Sequence, residues 1–110
     1  MMTREQFIER LEIMRRTAVA SILNILGRYG VDVILAPGDG RMASIAALAG
    51  APCGVVPLGF ADFNGRPFGL NVLAAAHNEG MILEFMSAWE HTFPEARKPP
   101  PLLQENWDKL

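Results

Sequence analysis

A small α/β layer is the fold the sequence predicts: a three-stranded mixed sheet flanked by a long N-terminal helix and a C-terminal helix. Three observations predict it. Residues 3–26 carry apolar side chains at helical spacing, residues 31–36 form a short apolar run that stops at Pro37, and Asn64-Gly65 separates two further apolar runs. A length of 110 residues suits a single domain or a fragment of one.

The first helix is read from Phe7, Leu11, Met14, Ala18, Ile22 and Ile25, which recur at steps of three and four and so share one face. Ile8, Ile13, Val19, Leu23 and Leu26 widen that stripe, which predicts contact with more than one neighbour. Thr3 and Gln6 stand at capping-box spacing, and Gly27 and Gly30 bracket the expected end. Val31 to Ala36 reads as a buried strand, Gly38-Asp39-Gly40 as a turn, and Arg41 to Leu48 as a short helix closed by Gly50 and Pro52. Cys53 to Phe60 is the second strand. Pro57 lacks an amide donor, so it belongs at a sheet edge or a bulge. Strand, helix and strand in this order predict a parallel pair joined by a right-handed crossover.

Asn64-Gly65 predicts a tight turn between residues 60–63 and 66–75, giving an antiparallel hairpin. A last helix over residues 79–93 follows from Ile82, Phe85, Met86, Trp89 and Phe93, with Asn78 as its cap and Pro94 as its stop. Residues 95–110 contain Pro99-Pro100-Pro101 and read as a proline-rich extended tail. Three strands leave two open edges. Either these edges or the first helix is expected to make the chain a homo-oligomer.

Half of the residues are hydrophobic and 20% are charged, which is a globular composition. A formal net charge of -2 supplies no basic field, so neither nucleic acid nor an anionic membrane is an expected partner. No apolar run approaches the ~20 residues of a membrane span. Cys53 is the only cysteine, which excludes an internal disulfide and fits a reducing, cytoplasmic location. The doubled Met1-Met2 start points to truncation.

Other motifs are weaker. Gly38-Asp39-Gly40 between a strand and a helix has part of a dinucleotide fingerprint, but the third glycine position is Ala43, so a plain turn is expected. His77 and His91 have no ligand cluster around them; no metal and no cofactor are expected. His91 suits the dipole at a helix end. Nothing beside Cys53 would lower its pKa, so it reads as an inert packed thiol. Met81 is a contact-surface residue, and Pro99–Pro101 suits either an aromatic groove in a partner or pinning of the tail to its own domain.

Taken in order, GRYGVDVILAP at 27–37, SIAALAGAPCGVVPLGF at 44–60, DFNGRPFGLNVLA at 62–74 and SAWEHTFP at 87–94 resemble the C-terminal part of the amidase-signature family, most closely its fungal-type members. The resemblance runs over residues 15–102. It implies the final strands and helices of a large mixed sheet in an amide hydrolase. Such enzymes use a lysine and two serines, in which an uncharged lysine takes a proton through one serine from the other. Here Ser21, Ser44 and Ser87 are isolated, and Lys98 and Lys109 fall in the tail, so no catalytic residue is assigned and no turnover is expected of this chain alone. The resemblance places the loop after the first strand near the substrate cleft. Gly38, Asp39 and Arg41 are therefore the residues expected to touch a small amide ligand. The alternatives are a self-associating interaction module and a small-ligand-binding domain.

Overall fold

The computed structural model describes residues 1–98. Helix α1 spans Arg4–Tyr29, strand β1 Ile34–Pro37, helix α2 Met42–Ala49, strand β2 Cys53–Phe60, strand β3 Pro67–Leu73 and helix α3 Glu79–Thr92. A 3-10 turn over Pro94–Arg97 follows α3, so the segment expected to be extended from residue 95 begins helically. Its Pro99–Pro101 run and the rest of the tail lie outside the described residues.

The start of α1 follows its sequence signal. The Gln6 amide donates to Thr3 Oγ1 over 3.2 Å, and the Thr3 amide donates to Gln6 Oε1 over 3.1 Å. The helix runs through Gly27 and closes at Gly30, whose left-handed φ of 61° suits a residue without Cβ. Burial along α1 is uneven. Ala18 and Ile22 are buried and Val19 and Leu26 pack beside them, whereas Phe7, Ile8, Ile13 and Met14 are exposed. The cause is length: at 1.5 Å per residue, α1 extends well past α2, the short helix it packs on.

The α/β class and the three-stranded sheet stand, but one pairing differs from expectation. The strand order is β1-β3-β2 and both contacts are antiparallel. β1 and β2 point the same way without touching, because β3 lies between them. Residues 71–74 explain this choice: Asn71 is 2% exposed and Val72, Leu73 and Ala74 are fully buried. The most continuous apolar run takes the centre. Each outer strand carries an internal or terminal proline, Pro37 or Pro57, which an edge tolerates. The register of β2 also slips between Pro57 and Gly59, so Pro57 sits at both an edge and an irregularity.

Helices cover both sides. Leu73 joins Ala18, Ile22, Ala46 and Ala49 in one cluster, with Ile34 beside it. Val72, Val56, Ala74 and Ile82 form the other, with Phe85, Met86 and Trp89 packed around them. Successive strand residues point to opposite faces, which is why Val72 and Leu73 serve different helices. The Trp89 indole N–H donates to the Pro57 carbonyl over 2.8 Å and fastens α3 to β2. Asn78 occupies the start of α3 without a side-chain bond; its carbonyl accepts from the Met81 amide instead.

The Asn64-Gly65 hairpin forms with a longer connection than the tight turn expected. Phe60 pairs with Pro67, leaving residues 61–66 as the loop. Only Gly65 takes a positive φ, 70°, while Asn64 uses its Oδ1 to accept from the Arg66 amide. Pro67 has no amide donor to continue the ladder toward the turn.

Candidate functional site

Because β3 runs against both neighbours, the end of β1, the end of β2 and the start of β3 meet at one edge of the sheet. The loops 38–41 and 61–66 gather there around an open cleft of about 980 Å³. Its floor includes Val55, Phe68 and Gly69, and its polar wall includes Asp39, Asn64 and Arg66. Val55 is 57% exposed, so the sheet face at this end carries no helix.

The loop from β1 is held close to β3. The Gly38 amide donates to the Gly69 carbonyl over 2.9 Å, and the Gly40 amide donates to the Pro37 carbonyl over 3.0 Å. A Cβ on Gly38 would stand 2.8 Å from the Gly69 oxygen, and one on Gly69 would stand 2.4 Å from the Val56 oxygen. These two positions need glycine for the strands to approach. Beneath them Asn71 donates its Nδ2 to the carbonyls of Pro37 and Gly38, each at 3.4 Å. It is the buried polar side chain among the described residues.

Of the three residues expected to meet a ligand, Gly38 and Asp39 line the cleft and Arg41 does not. Arg41 occupies the start of α2, where its carbonyl accepts from the Ile45 amide; no ion pair joins it to Asp39. The cation in the wall is Arg66, from the hairpin loop. Sequence reasoning missed Arg66 because its position depends on β3 lying beside β1. The signal was present in DFNGRPFG, where the turn fixes the loop but not its neighbours. Asn71 carried its own signal, a single amide inside GLNVLAAA.

Hydroxyl groups elsewhere are engaged locally. Ser21, Thr17 and Thr92 each donate to the carbonyl four residues back, at 2.7–2.8 Å. No hydroxyl among the described residues bonds to an imidazole or a lysine amine, and Lys98 pairs with Glu95. Cys53 is exposed at the start of β2, not enclosed as expected, and partial burial still pushes its thiol pKa upward. Among the described residues there is no group of three or more His, Cys, Asp or Glu side chains placed to hold a metal ion. No helix is long and apolar enough to cross a membrane, again among the described residues.

No family model matches the chain. It is 30% identical over 104 residues to the A subunit of the chloroplastic/mitochondrial glutamyl-tRNA(Gln) amidotransferase of Oryza sativa subsp. indica, and equally to that of subsp. japonica. The match takes in 93% of this chain and 19% of each relative, so the chain spans about a fifth of their length. Among solved structures it resembles a peptide amidase in complex with the competitive inhibitor chymostatin, at 31% identity and a TM-score of 0.78. That similarity covers 86% of this chain and 22% of the amidase. PAM12A matches at 31% identity and a TM-score of 0.79, over 90% of this chain and 23% of its own. Shared sequence and shared backbone over nearly all of these residues lead to one conclusion: the chain is a homologue of one segment, about a fifth, of amidase-signature proteins.

Proposed function

We propose that this chain is the C-terminal structural part of an amide C–N hydrolase and that it has no turnover by itself. The observation that carries this reading is the mismatch in coverage: the similarity takes in 86–93% of this chain but only 19–23% of its relatives. The family's lysine and paired serines find no counterpart in Ser21, Ser44, Ser87, Lys98 or Lys109. A serine without an adjacent proton acceptor is a poor nucleophile at neutral pH. In this reading the chain contributes sheet, cover and one wall of a cleft, while a separate part of the fold carries the reacting groups.

The test is incubation of the purified chain with a panel of small amides and esters. No hydrolysis above the buffer rate is expected. Turnover that disappears when Ser21, Ser44 or Ser87 is replaced by alanine overturns the reading.

The uncovered half of α1 favours a second role, self-association. Phe7 is 58% exposed and Met14 53% exposed, and among the described residues β1 and β2 each leave one edge unpaired. A homo-oligomer would cover these surfaces, and sizing over a concentration series tests it; a strictly monomeric, folded species excludes it. The cleft suits a small amide, with Asp39, Asn64 and Arg66 supplying both donors and acceptors. Loss of binding in Arg66→Ala but not Arg41→Ala would fit this geometry, and the reverse would defeat it. A single exposed thiol fits a reducing, cytoplasmic setting.

A further inference from the structure

We infer that the aromatic groove between β2 and the end of α3 binds the chain's own segment 99–110. This proposal stands apart from the hydrolase reading. The groove measures about 470 Å³ and is walled by Leu58, Phe60, Trp89, Phe93, Pro94 and Ala96. The Trp89 N–H is already committed to the Pro57 carbonyl, so the indole offers the groove its ring and not its donor. Phe93 lies 4.7 Å from Trp89 between ring centroids and is 48% exposed. A ligand for such walls is apolar and stacks on rings, as proline-rich peptides do in aromatic grooves.

The sequence directly after Lys98 is Pro99-Pro100-Pro101-Leu102-Leu103, which has that composition. Proline brings a fixed φ, so less backbone freedom is lost on docking. The segment begins three positions beyond Ala96, on the groove's own rim, which gives it a high effective concentration. An external peptide of the same composition lacks that advantage.

The chain has two tryptophans, so full-length Trp107→Phe leaves Trp89 as the sole reporter. In that background, Leu102→Asp with Leu103→Asp is expected to move Trp89 emission to longer wavelength. Acrylamide quenching should rise about two-fold as the ring meets water, with far-UV circular dichroism unchanged. A synthetic peptide of residues 98–110, also with Trp107→Phe, should reverse both changes with a Kd of roughly 0.1–1 mM. Identical emission and quenching in the two chains overturn the proposal. Protection of Trp89 that grows with protein concentration also overturns it, because the occupant is then a second copy. Should the aspartate pair lower the circular dichroism signal, Leu102→Ser with Leu103→Ser replaces it in the same comparison: a red shift with greater quenching supports the proposal, and unchanged emission overturns it.

Discussion

The indole nitrogen of Trp89 lies 2.8 Å from the carbonyl oxygen of Pro57, thirty-two residues earlier, and this bond joins α3 to the irregular part of β2. The register of β2 slips between Pro57 and Gly59, and among the described residues the outer edge of β2 has no strand neighbour. An edge carbonyl would otherwise depend on water. Trp89→Phe keeps a ring against Phe85 and Phe93 but removes the donor. We expect a loss of about 1–2 kcal/mol, read as a lower urea midpoint at unchanged slope. An unchanged midpoint would show that water replaces the indole at no cost.

Two glycines are expected to respond in opposite directions to the same change. A Cβ at Gly69 would stand 2.4 Å from the Val56 oxygen, closer than non-bonded atoms allow, so Gly69→Ala must push β3 from β2. The Val56 oxygen is a backbone atom that cannot swing aside as a flexible side chain would, and the expected cost is about 2 kcal/mol or more. Gly27, inside α1, has open space where a methyl would stand, with no atom within 4 Å. Gly27→Ala should therefore raise stability by about 0.5–1 kcal/mol through helix propensity alone. Thermal unfolding of both variants beside the parent checks the pair.

How much of this was legible beforehand divides along local and non-local lines. Thr3 with Gln6, Gly30 after α1 and Pro57 at an edge all act through neighbours in sequence or through a missing N–H, and each was readable. Strand order was not. The expectation of a β1–β2 pair rested on chain connectivity, whereas the burial of Val72 and Leu73 on two opposite faces decided that β3 takes the centre. The cleft divides in its own way: the turn at Gly38 and Asp39 was readable locally, the family resemblance alone put it beside a cleft, and Arg66 needed the strand order. Exposure of Phe7 and Met14 was likewise invisible, since a periodic apolar stripe says which face is apolar but not how far a partner extends along it.

Cys53 gives a pH prediction. Burial disfavours the thiolate, so the folded-state pKa lies above the ordinary thiol value. Alkylation by iodoacetamide should be slow at pH 7 and should rise to its plateau at a higher pH than for a free cysteine. The sign for folding follows: any stability from keeping the thiol neutral is complete below the unfolded pKa and is lost as pH rises through the folded one. A thiol that reacts faster than free cysteine at pH 7 contradicts this.

Asn71 provides the sharpest link between the core and the cleft. Its side chain is buried at 2% exposure, and both of its bonds go to consecutive carbonyls, Pro37 and Gly38, at the point where β1 turns toward α2. At 3.4 Å each bond is long, so their joint effect is on loop position more than on global stability. Asn71→Ala removes both donors and leaves the space of an amide, for an expected cost of about 1–3 kcal/mol. The loop should loosen before the sheet does. Amide exchange at Gly40, which donates to Pro37, is expected to accelerate more than exchange at Val72 in the centre of β3. Equal acceleration at both amides would mean that Asn71 supports the sheet as a whole, and then Asp39 owes its place in the cleft wall to the Gly38–Gly69 contact alone.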